Sequence, residues 1–132
     1  MNVGIIGLGK LGAIIASKLV QASFSVTAFT RTPKPANVPL ASDLKQLVES
    51  SEAIILCVKP KDAQAVLSDL NKALGNEEKI VVSVMAGITV EALQESLKTA
   101  KIVRANPNIC AMAGKSVTAL AFGKNVSEVE KN

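Results

Sequence analysis

The stretch from Asn2 to Gly12 reads NVGIIGLGKLG, a short β-branched run followed by closely spaced glycines. The β-branched run predicts a strand over Asn2–Ile6, and apolar residues at helical spacing predict a helix over Ala13–Ala22. A strand, a glycine-rich turn and a helix in direct succession are typical of the first unit of an open α/β sheet. The rest of the chain is interpreted outward from this unit.

Gly7, Gly9 and Gly12 form the pattern G-x-G-x-x-G between the predicted strand and helix. In this context Gly7 permits a tight turn, Gly9 lets the backbone approach a pyrophosphate, and Gly12 allows the helix to pack closely on the strand. The helix N-terminus then faces the anion. The pattern predicts a dinucleotide-binding turn; glycines that serve only a compact turn are the alternative.

The composition favours a single aliphatic domain with a small anionic ligand. Of the 132 residues 48% are hydrophobic but only 2% aromatic, as expected for buried parallel strands. Residues 1–42 contain no acid, so the net charge of +4 comes from this segment. Binders of single-stranded nucleic acid usually interleave bases with aromatic platforms, which this chain lacks, so we expect no nucleic-acid partner.

The inventory of reactive side chains is short. There is no histidine, which excludes a histidine base, and the two cysteines, Cys57 and Cys110, form no metal-binding motif, so no metal is expected. The thiols are interpreted as reduced core residues. With no charged leader and no apolar run of about 20 residues, we expect a cytoplasmic protein without a membrane partner.

The remaining predicted elements alternate between strands and helices. This order predicts an α/β fold: one Rossmann-like domain over residues 1–132, doubly wound, with a mainly parallel sheet and helices on both faces. The strands are predicted at Phe24–Phe29, Ala53–Val58, Lys79–Val84, Lys101–Arg104 and Val117–Phe122. The helices are predicted after caps at Ser42/Asp43, Asp62 and Thr89, ending at Ser50, at Leu74 and near Leu97.

The end of the second strand is where an NAD site usually carries an acid for the adenosine ribose. This chain instead has Thr30, Arg31 and Thr32, with Lys34 two residues later. A guanidinium can grip a phosphate with two hydrogen bonds, the hydroxyls can donate to it, and the lysine adds charge. The segment predicts NADP, with NADPH preferred over NADH; a solvated basic loop is the alternative.

Further turns follow the later strands, at the sheet edge where such folds bind ligands. CVKP (Cys57–Pro60) and MAGI (Met85–Ile88) offer backbone for the ribose and nicotinamide, and Lys59 is either functional or merely solvated. Asn106 and Asn108 follow the fifth strand. Their amides are candidates for a substrate or nicotinamide loop, with turn chemistry as the alternative.

Five motifs in register resemble pyrroline-5-carboxylate reductase, within the wider 6-phosphogluconate-dehydrogenase-like group: VGIIGLGKLG, RTPKP, VKP, VVSVMAGIT and IVRANPN. The resemblance implies hydride transfer from NAD(P)H to the C=N bond of 1-pyrroline-5-carboxylate, which gives proline. It assigns no catalytic side chain. It implies dinucleotide contacts at four places, namely Ile6, Gly7, Leu8, Gly9, Lys10 and Leu11; Thr30, Arg31 and Thr32; Cys57, Val58, Lys59 and Pro60; and Met85, Ala86 and Gly87.

The chain also departs from that family. Where members usually read R-V-M-P-N-T-P, residues 104–110 read RANPNIC, which leaves the substrate open. The resemblance implies that family members continue into a helical domain that forms a homo-oligomer and much of the imino-acid pocket, and we expect no counterpart to it within residues 1–132. We therefore expect residues 1–132 alone to bind NADP and catalyse little. A non-catalytic NADP-binding or sensor module, or a reductase of another imine or β-hydroxy acid, are the alternatives.

Overall fold

Strands and helices alternate along the chain. The computed structural model describes residues 2–31, 38–85, 87–106 and 119–122. The strands are β1 (Asn2–Ile6), β2 (Ser25–Phe29), β3 (Ala53–Leu56), β4 (Ile80–Ser83), β5 (Lys101–Asn106) and β6 (Ala119–Phe122). The helices are α1 (Lys10–Gln21), α2 (Leu44–Ser50), α3 (Ala63–Leu74) and α4 (Val90–Ser96), and a 3-10 turn (Pro60–Asp62) leads into α3.

The strands form one sheet in the order β2-β1-β3-β4-β5-β6. The first five run parallel, and β6 pairs antiparallel with β5. The chain moves from β1 to β2 on one side and then crosses to β3 on the other, so the connections reverse direction beside β1. The carboxyl ends beside this reversal are where open α/β sheets bind their ligands.

Helices cover both faces of the sheet, as the alternating pattern predicts. On one face α1 packs over β1 and β2, around Val3, Ile5, Ala16 and Val26. On the other face α2, α3 and α4 bury a second aliphatic cluster that includes Ile54, Leu56, Leu70, Leu93 and Ile102. Adjacent residues of a strand point to opposite faces, so Ile5 and Ile6 belong to different clusters. The predicted doubly wound architecture is confirmed.

Two helix starts have the predicted side-chain caps. The Asp43 carboxylate accepts a hydrogen bond from the Gln46 backbone N–H at 2.8 Å, while the Gln46 side chain accepts one from the Ser42 N–H at 2.6 Å. In α4, Thr89 Oγ1 accepts from the Ala92 N–H at 3.1 Å. The bonds from the Gln46 and Ala92 N–H groups satisfy donors that the first helical turn leaves without a partner.

Asp62 occupies the predicted N-cap position of α3, but its side chain makes no capping hydrogen bond. Asp62 lies in the 3-10 turn, where its N–H donates to the Lys59 carbonyl at 2.9 Å. Its backbone has a helical conformation (φ −98°, ψ −4°), whereas side-chain capping requires an extended one. Pro60, with its fixed φ, begins the turn one residue after the last extended position.

Several element ends also differ from the predicted ones. Helix α1 begins at Lys10 rather than Ala13, because Gly9 is already its N-cap, and β3 ends at Leu56 rather than Val58. Strand β5 continues to Asn106 because β6 pairs with its last four residues. In the part of the chain that the structure describes, no helix has the length and apolar character needed to cross a membrane.

The chain after β2 returns to the edge of the sheet. Leu40 forms an isolated parallel bridge with Ala28. The Ala28 N–H donates to the Pro39 carbonyl at 2.9 Å, and the Ala41 N–H donates to the Ala28 carbonyl at 2.7 Å. The segment that leaves β2 at its carboxyl end is therefore attached again to the same strand.

Gly12 packs directly against the turn that precedes its helix. A Cβ atom at this position would overlap the Gly7 carbonyl oxygen and lie 3.3 Å from the Cys57 Cβ. Both neighbours belong to the glycine turn and the end of β3, so neither can move independently. Gly12 therefore allows α1 to lie close to the sheet, as the pattern predicts.

We expect Gly12→Ala to lower the free energy of unfolding by about 1–3 kcal/mol, because the added methyl group forces α1 away from the turn. Gly9→Ala is the matched control, since a Cβ there meets no protein atom within 4 Å. It should change the free energy of unfolding by less than about 1 kcal/mol, the size of an N-cap effect. Urea unfolding followed by circular dichroism measures both, and equal losses in the two variants would contradict this packing role.

Candidate functional site

A cleft of about 600 Å³ lies at the carboxyl ends of β1, β2 and β3, beside the reversal in strand order. Three segments that follow these strands form its floor and rim, and α2 and α3 contribute one wall. The lining residues are Ile6, Gly7, Leu8, Gly9, Phe29, Thr30, Arg31, Leu44, Cys57, Val58, Lys59, Lys61, Asp62, Val66 and Asp69.

The floor of the cleft is held together by backbone hydrogen bonds between the strand ends. The Gly7 N–H donates to the Phe29 carbonyl at 2.9 Å, and the Cys57 N–H donates to the Ile6 carbonyl at 2.8 Å. Gly7 has φ +96°, and a Cβ there would lie 2.9 Å from the Cys57 carbonyl oxygen. Only glycine satisfies both the left-handed conformation and the close approach of the neighbouring strand.

Gly9 differs from the other two glycines of the motif, because protein packing does not require it. Its φ of −69° is accessible to any residue, and a Cβ would meet no protein atom within 4 Å. It lines the cleft as the N-cap of α1, whose first turn contains no acid. A glycine that faces open space at a helix N-terminus fits close approach by a phosphate-bearing ligand.

Cys57 lines the cleft but has no character of a nucleophile. Burial disfavours the thiolate and raises the pKa of the Cys57 thiol from 9.0 to about 12. The side chain is therefore neutral at physiological pH. What this residue presents to the cleft is a small apolar side chain beside backbone, in agreement with its interpretation as a reduced core thiol.

Charged side chains occupy the rim of the cleft. Arg31 follows β2 and Asp69 lies on α3, and their Nη2 and Oδ2 atoms are 3.8 Å apart. The two side chains are 53% and 57% exposed, so a ligand in the cleft can reach both. Lys59 and Lys61 add positive charge after β3, and Asp62 adds a second carboxylate.

The sequence did not single out the wall formed by α3. Val66 and Asp69 are three residues apart, so they lie on one face of α3, and this face lines the cleft. Asp62 lines the cleft from the 3-10 turn that precedes the helix. The spacing of Val66 and Asp69 was visible in the sequence. The sequence does not show that this face lines the cleft. That depends on the orientation of α3, which is fixed by Leu67 and Leu70 in the aliphatic cluster shared with β3.

The cleft brings together many of the predicted dinucleotide contacts: Ile6, Gly7, Leu8, Gly9, Thr30, Arg31, Cys57, Val58 and Lys59. Other predicted residues are described but are not among its lining: Lys10, Leu11, Pro60, Met85 and Gly87. Thr32, Lys34, Ala86 and Asn108 lie outside the described residues, and Asn106 is the last residue of β5. These assignments remain predictions.

The turn after β4 contains Met85, whose side chain is part of the core. The Met85 side chain is buried in the cluster under α2, α3 and α4, and its N–H donates to Ser83 Oγ at 3.2 Å. Gly87, with φ +77° and open space at its Cβ position, follows in the same turn.

Comparison with known proteins identifies the family. The family model described as NADP oxidoreductase, coenzyme F420-dependent, matches residues 2–87. The chain belongs to this family. Membership confirms the predicted oxidoreductase class and the use of NADP, and the Rossmann-type fold agrees with it.

The relatives agree with the resemblance drawn from the sequence motifs. A pyrroline-5-carboxylate reductase of Aquifex aeolicus is 35% identical over 141 residues, which cover 100% of this chain and 52% of that protein. A pyrroline-5-carboxylate reductase 1 of Bacillus spizizenii is 34% identical, covering 96% of this chain and 47% of that protein. The chain thus spans about half the length of these curated relatives.

A solved structure supports the same fold. Plasmodium falciparum pyrroline carboxylate reductase, determined with NADP bound, superposes with a TM-score of 0.88 at 24% identity. The superposition covers 99% of this chain and 51% of the Plasmodium protein. At this identity the likeness establishes the fold, and the cofactor in that structure belongs to that protein.

We expect the Cys57 thiol to resist modification in the folded protein. Raising a thiol pKa from 9.0 to about 12 lowers the thiolate fraction near neutral pH about a thousandfold. A thiol-reactive probe at pH 8 should label a Cys110→Ser variant slowly when folded and rapidly in denaturant. Equally rapid labelling in both states would contradict the neutral, buried thiol.

The same pKa difference predicts a loss of stability in alkali. Below pH 9 the thiol is protonated in both the folded and unfolded states, so its contribution is fully present. As the pH rises from about 9 towards about 12, only the unfolded chain loses its proton, and the free energy of unfolding falls. The fall should be smaller in a Cys57→Ala variant of the same Cys110→Ser background.

Proposed function

We propose that this chain is the NADP-binding domain of a reductase that acts on the C=N bond of 1-pyrroline-5-carboxylate. The observation that carries the proposal is the cleft beside the reversal in strand order. Gly9, which has open space at its Cβ position, and Arg31 both line this cleft. Similarity to pyrroline-5-carboxylate reductases over essentially the whole chain supports the imine as the substrate class.

The residues of the cleft fit this dinucleotide in two regions. Backbone N–H groups at Gly9 and at the N-terminus of α1 would hold the pyrophosphate. Thr30 and Arg31 would bind the 2′-phosphate of the adenosine ribose, and Thr32 and Lys34 belong to the same proposed site. NADPH should therefore bind more tightly than NADH, which has no phosphate for the Arg31 guanidinium to grip.

For hydride transfer, this domain would mainly position the cofactor and provide a positive electrostatic potential. When bound, NADPH supplies the hydride that reduces the imine carbon. The domain would orient the cofactor on the carboxyl edge of the sheet, and Lys59 would raise the positive potential of the cleft. Cys57 stays protonated and takes no nucleophilic part. No side chain of this domain is assigned as catalytic.

The remaining parts of such an enzyme are proposed from its relatives. Because the chain spans about half of their length, an imino-acid pocket and a homo-oligomer interface are proposed for a segment equivalent to their other half. Asn106 and Asn108 remain candidates for the loop that meets the nicotinamide or the substrate. A cytoplasmic location also stays a prediction. A non-catalytic NADP-binding module is the alternative function.

Arg31→Ala should weaken NADPH binding about tenfold, the effect of losing a charged hydrogen-bonded contact to phosphate, and should leave NADH nearly unchanged. Lys18→Ala is the matched control, because it removes one of the positive charges in residues 1–42 from an exposed position in the last turn of α1. Titration calorimetry with each dinucleotide measures the effect. Equal losses for NADPH and NADH, or a similar loss in Lys18→Ala, would contradict a phosphate contact at Arg31.

Reductase activity is best tested in a chimera that joins this chain to the second half of the Aquifex aeolicus relative. We expect the chimera to oxidise NADPH and form proline when 1-pyrroline-5-carboxylate is added, whereas the 132-residue chain alone binds NADPH but turns over little substrate. Gly9→Ala in the chimera is the control, because a methyl group there blocks the approach of the pyrophosphate without a protein clash. A folded chimera that binds NADPH and leaves the imine intact would favour the non-catalytic module.

A further inference from the structure

We propose that Asp69 determines how strongly this chain prefers NADPH over NADH, by competing with the 2′-phosphate for Arg31. The proposal rests on the proposed binding of NADP in the cleft. Asp69 lies outside the glycine motif and the segment after β2, the two parts of the sequence that indicate which cofactor is bound. It lines the cleft because α3 forms the wall opposite Arg31.

Asp69 lies on α3, whereas the carboxylate of a dinucleotide site in this fold commonly lies near the end of the second strand. NAD sites of this fold commonly carry an acid near the end of the second strand, which accepts hydrogen bonds from the ribose hydroxyls. Here the first 42 residues contain no acid at all. The cleft instead receives the Asp69 carboxylate from α3, where it lies 3.8 Å from the Arg31 guanidinium at the end of β2.

The helix that carries Asp69 is firmly placed. Leu67 and Leu70, the neighbours of Asp69 on α3, are 5% and 0% exposed and pack in the cluster beneath the helix. The backbone at Asp69 is thus fixed relative to the sheet, while its side chain remains 57% exposed. A ligand phosphate at Arg31 would therefore meet a carboxylate that moves away only by changing its rotamer.

The two reduced dinucleotides interact differently with this pair of charges. A 2′-phosphate carries about −1.5 to −2 charge near neutral pH, so it outcompetes a single carboxylate for Arg31, but it must displace Asp69 from the guanidinium to do so. NADH carries no phosphate there, and its ribose hydroxyls can donate to the carboxylate. Asp69 thus weakens the binding of NADPH and does not weaken the binding of NADH.

The size of the effect follows from the exposure of the pair. Ion pairs between half-exposed side chains contribute modestly, so removing the competition should improve NADPH binding about two- to fivefold. Salt screens such charges, and the effect should shrink as the ionic strength rises from about 0.02 M to about 0.5 M. If the substitution acted through shape or packing, its effect on NADPH binding would not change with ionic strength.

The test is Asp69→Asn in the 132-residue chain, titrated with NADPH and with NADH at low and high salt. We expect the Kd for NADPH to fall about two- to fivefold at low salt, with the Kd for NADH unchanged or higher. Repeating the substitution in an Arg31→Ala background should abolish the gain, because the competition acts through the guanidinium. Circular dichroism and thermal unfolding of each variant establish that α3 is intact.

Asp62→Asn is the matched control, because it removes a carboxylate that lines the same cleft from the 3-10 turn before α3. If it improves NADPH binding as much as Asp69→Asn, a general field effect explains the result and the proposal is overturned. It is overturned as well if Asp69→Asn weakens NADPH binding, which would mean that the carboxylate holds Arg31 in place. A wild-type chain that binds neither dinucleotide would refute the proposed function itself, and the role of Asp69 with it.

Discussion

The site depends on the hydrogen bonds that join the ends of three parallel strands. Gly7 donates to the carbonyl of Phe29 on one side, and Cys57 donates to the carbonyl of Ile6 on the other. These bonds continue the ladder past the last strand residues and bring the turns after β1, β2 and β3 to one edge. Gly7 makes the arrangement possible, since its positive φ lets the chain turn while the end of β3 lies in contact.

Much of the fold could be predicted because its determinants are local. Alternation of apolar runs with capped helical segments identified the α/β class, and Asp43 and Thr89 form the predicted caps. Where the predicted side-chain cap is missing, a neighbouring residue changes the local backbone. Pro60 begins a 3-10 turn, so Asp62 enters α3 with a helical conformation and its side chain does not cap.

The site was predicted less completely because part of it is assembled by packing. The glycine turn and Arg31 are contiguous with strands that the sequence identifies, whereas Asp69 belongs to a helix whose orientation depends on Leu67, Leu70 and the sheet below. Periodicity indicates which residues of α3 share a face, but not which cleft that face lines. Similarly, Met85 lies in a predicted ligand-binding turn, yet its side chain is part of the core.

Both signs of charge line the cleft. Arg31 lies on the side of the acid-free first 42 residues, Lys59, Lys61 and Asp62 follow β3, and Asp69 lies on α3. Burial keeps the Cys57 thiol at the floor neutral, so the groups that respond to a ligand's charge are on the rim. In the proposed site, affinity for the pyrophosphate and discrimination at the ribose would depend on different residues.

The return of the chain to Ala28 after β2 has an evolutionary consequence. Arg31 leaves the sheet directly after β2, and Pro39 and Ala41 are hydrogen-bonded again to the same strand. Both ends of the intervening segment are therefore anchored independently of its amino-acid sequence. Under the proposed function, substitutions there would change the choice of cofactor while the register of the sheet stays constant. Natural selection for cofactor preference and natural selection for folding stability could then act on separate parts of one small domain.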